Sequence, residues 1–238
     1  MPAVNQKRIK KIFKPFARVI ASVIVWLILF VQYRLFKSNK NNIPVVLANL
    51  CFNDLLLFNA DPGIIKYHIL DPDSMPGGFF VWSTGDWENE IIPIENQEKF
   101  VMIKELFIDK KNFRDTQFYS YAVDQMLKDE PVQRGNLMLD STDNINLYFK
   151  RQSDTFNNIS NSGFNLDLAP QTGVVIDSKG NFIHFRQGHH TLAIARLLGV
   201  KKVNMRIRAI HNLWLLEQIK DYKFYFLRAL RRSFRELL

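Results

Sequence analysis

Apolar positions recur along this chain in a two-residue rhythm in some stretches and a helical rhythm in others, and the two follow each other most sharply between residues 173 and 210. Apolar runs at 174–176 and 182–185 flank Asp177-Ser178-Lys179-Gly180-Asn181, which predicts a β-hairpin with a loop of four or five residues. From Thr191 the positions Leu192, Ala195, Leu197 and Leu198 fit a helix of two turns that Gly199 ends, and Lys201-Lys202 lead into a strand over 203–210. Upstream, 64–70 reads as a strand closed by Asp71-Pro72-Asp73. The stretches 95–108 and 113–128 read as helices, with Phe118, Tyr119, Ala122, Val123, Met126 and Leu127 as core at helical spacing. Pro131 to Gly135 breaks the pattern, and 143–160 resumes it through Ile145, Tyr148, Phe149, Phe156 and Ile159.

The two ends differ from this middle. Residues 43–58 are apolar, interrupted by Pro44 and Asn53-Asp54, and predict a helix packed on the domain. From Leu215 to the end the pattern predicts one helix, with Ile219, Tyr222, Phe226, Leu230, Phe234 and Leu237 on one face and Lys220, Lys223, Arg228, Arg231, Arg232 and Arg235 around the rest. That face suits either a membrane interface or docking on the core. Near the start, fifteen uncharged residues, 19–33, lie between Arg18 and Arg34. They cover ~22 Å as a helix against a hydrocarbon core of ~30 Å, at the threshold between a spanning, an interfacial and a buried helix.

Charge sharpens the division. Residues 1–40 carry nine Lys/Arg and no acid; 41–200 carry 13 basic and 20 acidic side chains; 201–238 carry ten basic and three acidic. A nucleic-acid binder spreads positive charge over its folded face, so basic ends around an acidic middle point instead to an anionic membrane surface as partner. Six of the nine early charges precede the apolar run, which puts the N-terminus in the cytoplasm. A monotopic protein attached at the cytoplasmic face fits this orientation. The organisation expected is a basic hydrophobic helix and linker over 1–42, a domain over 43–214 and a basic amphipathic helix over 215–238. The 47% hydrophobic content and 20 phenylalanines suffice for one core, and the lone Cys51 excludes an intramolecular disulfide and any cysteine-based metal cluster. No metal ligands are assigned.

Candidate chemistry centres on Gly188. A glycine before a helix start lets the backbone turn tightly and leaves the first amides pointing outward as an anion cradle, to which Arg186, His189, His190 and Thr191 would add donors. The competing reading is that Thr191 only caps a short core helix.

The run G-H-H-T-L-A-I-A-R-L-L-G, followed by a basic pair and a strand, resembles the signature of the ParB/sulfiredoxin-like superfamily, in which glycine, a variable residue, His or Arg, and Arg open a nucleotide-phosphate-binding helix. Gly188 and His190 match; Thr191 stands where the family has arginine. His189 occupies the slot of the sulfiredoxin cysteine, which excludes that chemistry. The likeness extends over roughly 64–214 to an uncharacterised branch through I-L-D-P-D-S-M at 69–75, G-D-W-E at 85–88, D-T-Q-F-Y at 115–119 and R-A-I-H-N-L-W at 208–214.

The resemblance implies an α+β domain with a small mixed sheet and flanking helices. It makes Asp86 and Glu88 the catalytic carboxylates, as general base or metal bridge, with Trp87, Arg208 and His211 in support. The alternatives are that Asp86 caps a turn, Trp87 plugs the core and His211 is structural. The function implied is binding of a nucleotide or phosphorylated small molecule at Gly188 to Thr191, with phosphotransferase action using ATP or another nucleotide and Mg²⁺. A non-catalytic membrane-bound interaction module is the alternative from a different class. DNA binding or nuclease action, suggested by the ParB name, is opposed by the acidic middle and by the lack of a following helix-turn-helix pattern.

Overall fold

The computed structural model describes residues 17, 19–24, 27, 50, 56–70, 81–82, 88–219 and 226–237. The G-D-W-E loop as far as Trp87, with Asp86, lies outside the described residues, as do most of 25–55 and of the charged N-terminus.

Among the described residues nine strands can be followed: β1 (Leu57–Ala60), β2 (Tyr67–Ile69), β3 (Val81–Trp82), β4 (Ile91–Pro93), β5 (Val132–Arg134), β6 (Leu137–Leu139), β7 (Thr172–Ile176), β8 (Phe182–His184) and β9 (Val203–His211). The helices that can be followed from end to end among the described residues are α1 (Glu98–Phe107), α2 (Gln117–Leu127), α3 (Thr142–Ser162), α4 (His189–Leu197), α5 (Asn212–Ile219) and α6 (Phe226–Leu237). The main sheet runs in the order β1-β9-β7-β8-β2-β4, with β3 also paired to β9, and β5-β6 form a separate hairpin. Its pairing is mixed. β7 lies parallel to β9 and antiparallel to β8, and β8 lies parallel to β2. The class is therefore α+β with a mixed sheet.

Strand alternation decides what each face holds. Val174, Ile176, Phe182, Val203, Met205 and Ile207 point into the main core, while Val175, Ile183, Phe185, Ala209 and Ile69 form a second, smaller cluster. The helices bury themselves against the first face. In α3 the buried side chains Ile145, Tyr148, Phe149 and Gln152 fall at i, i+3, i+4 and i+7, one stripe of a helix. Each of its large apolar members contributes roughly 1.5–3 kcal/mol by leaving water. Caps set the ends: Gln97 accepts from the amides of Lys99 and Phe100, Thr116 from Tyr119 and Ser141 from Asn144. The far end of α4 is tied down by Arg196, which donates to Glu95 Oε1 at 2.5 Å and to the carbonyl of Ile65.

Several sequence expectations are revised. The segment expected to break the pattern at 131–135 opens the β5-β6 hairpin, and 57–58, read as the end of a helix, begin the strand β1 paired with β9. The helix expected from residue 215 onward is not continuous. Ser233 donates to Gln218 at 2.7 Å and Trp214 packs on Phe234, with ring centroids 5.7 Å apart. Fifteen residues of straight helix would hold Gln218 and Ser233 ~22 Å apart, so α5 and α6 fold back on each other. Ala229, Ser233 and Phe234 are buried, and Arg228, Arg232 and Arg235 are exposed. Of the predicted apolar face, Phe234 and Leu237 pack on the core of the domain.

At the other end Ala21 is buried in the main core cluster, while Val19, Ile20, Val23, Ile24 and Leu27 are exposed. No helix among the described residues is long and apolar enough to cross a membrane.

Candidate functional site

His184 closes β8 and points to the helix-covered face of the sheet, as Phe182 does two residues earlier. The parallel register of β2 with β8 sets His68 opposite His184, and their Nδ1 atoms stand 3.0 Å apart. Four residues after His184, Gly188 turns the chain with φ 81° and His189 opens α4 over the same spot. The His189 ring meets His184 edge to face at 4.4 Å between centroids and His68 at 5.3 Å. One ring nitrogen from each of the three lies within 4.8 Å of the others. His190 joins a different neighbour, with Nε2 2.7 Å from the Tyr148 hydroxyl.

The proton positions follow from donor chemistry. His184 Nε2 is 3.0 Å from the Gln187 carbonyl, which can only accept, so Nε2 carries the hydrogen and Nδ1 is a bare acceptor. His68 Nδ1 then donates to it. The loop supplying that carbonyl is itself anchored: Gly173 N donates to Gln187 O at 3.1 Å, and the Arg208 guanidinium donates to Gln187 Oε1. Burial pushes His68 down to about 4 and His184 and His190 to about 3. His189 is lowered further by the same cause, followed by the charge of its neighbours. All four imidazoles are neutral at pH 7.

Cations surround them. Lys99, second residue of α1, acts electrostatically on all four rings. Its ammonium is destabilised first by burial and then by the charge of Arg134, against which Glu98 pulls. The Glu98 carboxylate is engaged by Arg134 at 2.6 Å, and that guanidinium also lies over the Phe118 ring. Among the described residues Lys99 has no ion pair or side-chain hydrogen bond of its own.

The start of α4 carries open donors as well. Its cap makes no side-chain hydrogen bond, and the amides of His189, His190 and Thr191 have no acceptor among the described residues. Thr172 Oγ1, on a residue only 1% exposed, has no hydrogen-bond partner. It lies 2.9 Å from where a Cβ on Gly188 would be. Three amides and a hydroxyl thus lie at the start of α4, where Lys99 and Arg134 both act on His190 and the one carboxylate of Glu98 serves both cations.

The residues expected in one site fall into two groups. Gly188, His189, His190 and Thr191 share the α4 start, with the helix beginning at His189 and not at Thr191. Arg208 acts from behind through Gln187, and the exposed Arg186 lies over Phe185, which belongs to the cluster on the other face of the sheet. Glu88 and His211 sit at the opposite end of the β7-β8 hairpin. Glu88 accepts from the Ser178 amide and, at 2.8 Å, from its hydroxyl, and His211 Nε2 is 3.9 Å from Glu88. The length of β7, ~13–16 Å at 3.3 Å per residue, separates them from the helix start. Asp86 and Trp87 lie outside the described residues. Sequence reasoning passed over His68, His184, Lys99, Arg134 and Tyr148. The available signal was composition: the chain has five histidines, and His68 and His184 each interrupt an apolar strand run.

No protein-family model, curated protein or solved structure matches the chain.

Proposed function

We propose that this chain binds a phosphorylated small molecule, with the phosphates of a nucleotide foremost, through the open amides at the start of α4. The observation that carries this reading is Lys99, a half-buried ammonium beside Arg134 and four neutral imidazoles, served only at a distance by the Glu98 carboxylate that Arg134 already engages. Half-buried positive charge in excess of the carboxylate that serves it is costly, and such cost is tolerated where a ligand supplies further negative charge. The unpartnered Thr172 hydroxyl and the uncapped helix start add donors in the same place.

We assign the fold to the ParB/sulfiredoxin-like type. This rests on the G-x-H helix opening directly after a hairpin and on the next strand, β9, returning beside β7. By that resemblance the ligand is ATP or another nucleotide with Mg²⁺ and the reaction phosphoryl transfer, with Asp86 as the carboxylate; Glu88 is occupied by Ser178. The exposed apolar side chains around Ala21 and the exposed arginines of α6 support attachment to an anionic membrane. Loss of co-sedimentation with anionic vesicles on deleting residues 1–40 tests that attachment, and unchanged sedimentation contradicts it.

Thermal unfolding with ATP, ADP, CTP and pyrophosphate, each with and without Mg²⁺, tests the binding. A ligand at 100 times its Kd adds ~2.7 kcal/mol to the folded state and raises the midpoint. The midpoint should rise with at least one of them, and a flat response to all four favours a non-catalytic interaction module.

A further inference from the structure

We propose that His68, His184 and His189 form a transition-metal site for a divalent ion of the zinc class, beneath the phosphate-binding helix start and independent of it. One nitrogen from each ring lies within 4.8 Å of the others, and the His68 and His184 Nδ1 atoms are already 3.0 Å apart. Nitrogens sharing one ion at ~2.0–2.1 Å in tetrahedral geometry stand about 3.4 Å apart, so His68 and His184 are already at near the right separation and ring rotations that turn their lone pairs, and that of His189, to a common point complete the site.

The proton inventory suits a metal. His184 Nε2 donates to the Gln187 carbonyl, the outer contact that fixes a metal-binding imidazole with its other nitrogen bare. The hydrogen between the two Nδ1 atoms belongs to His68. When an ion takes that place, this hydrogen moves to His68 Nε2, and all three ligands stay neutral with no net proton lost. The rings are held by elements that share no flexible tether: β2 and β8 fix two through their pairing, and the first residue of α4 fixes the third.

The donor set selects the ion. Three imidazoles without a carboxylate suit zinc, cobalt, nickel or copper and reject magnesium and calcium, which require oxygen ligands. Three protein ligands leave a fourth position open, the arrangement of reactive rather than structural zinc. A dication held by neutral ligands keeps its full charge, so the fourth ligand is an anion or hydroxide, compatible with the cationic surroundings of Lys99 and Arg134.

The test is Co²⁺ titration of the tag-free, full-length protein after chelator treatment, followed by visible absorption. The expected result is one Co²⁺ per chain, with the intense d–d bands of four-coordinate cobalt that one equivalent of Zn²⁺ abolishes. His189→Gln, at a half-buried helix end where folding survives, should weaken binding by more than the ~10–100-fold typical of losing an outer-shell partner. His211→Gln, at the far end of the hairpin, should bind as the parent does. Circular dichroism in chelator reports whether each variant is folded. Absence of the bands in the folded parent protein, or equal loss in both variants, overturns the site and leaves a hydrogen-bonded imidazole pair. Phosphate-linked stabilisation in metal-free protein is a separate readout, so failure of either proposal leaves the other standing.

Discussion

His68 and His184 are separated by 116 positions in the chain, yet their Nδ1 atoms meet at 3.0 Å. The contact exists because β2 and β8 pair in parallel with these two residues in register. A shift of one residue would turn one imidazole to the other face. The pair therefore reports the strand register as much as the chemistry.

Its burial has a pH consequence. An unfolded imidazole titrates near 6.5, whereas folded His68 does so at about 4 and His184 and His190 at about 3. Below 6.5 the unfolded chain binds protons that the folded one refuses. The stability these groups contribute is present above pH 6.5 and is lost as pH falls through 6.5 towards 4 and 3. The urea midpoint of metal-free protein should therefore drop between pH 7 and pH 5, above the range in which ordinary carboxylates titrate. A midpoint constant over that interval would mean the rings are solvated.

Gly188 serves the fold first. Its φ is 81°, and an added Cβ would stand 2.9 Å from Thr172 Cα, a backbone atom that cannot step aside. Gly199 has a φ of 66° with nothing within 4 Å. Gly199→Ala should cost ~1 kcal/mol from left-handed strain alone, and Gly188→Ala that much plus ~1–3 kcal/mol of crowding. Denaturant unfolding of the two variants measures the difference; equal costs would contradict the close approach of α4 to β7.

Phe234 anchors α6. It is 1% exposed and packs on Trp214. Phe234→Ala should cost ~3–5 kcal/mol and expose α6 to proteolysis. A cost below ~1 kcal/mol would indicate that this apolar stripe faces something other than the domain.

The elements around Gly188 were legible in the sequence because local signals set them: the Asp177 to Asn181 turn, the glycine at each end of α4 and the apolar alternation of β9. The α5-α6 turnback was not, since a 3.6-residue stripe looks the same in a straight helix and in a folded pair. Half of the site was legible for the same reason. Gly188 to Thr191 are consecutive, whereas His68, Lys99, Arg134 and Tyr148 arrive from β2, α1, β5 and α3, and only strand register and helix packing bring them together. Glu88 was joined to the helix start by family likeness, and the hairpin geometry separates the two.

Calorimetric titration of the full-length, metal-free protein with pyrophosphate, beside Lys99→Met, tests the central claim most directly. Removing a half-buried ammonium that must share one carboxylate with Arg134 should raise thermal stability, by up to ~1 kcal/mol, while weakening pyrophosphate binding at least ~10-fold, the cost of one charge-assisted contact. Parent protein that binds no pyrophosphate, or a variant that binds as tightly and melts lower, would contradict an anion site at the start of α4.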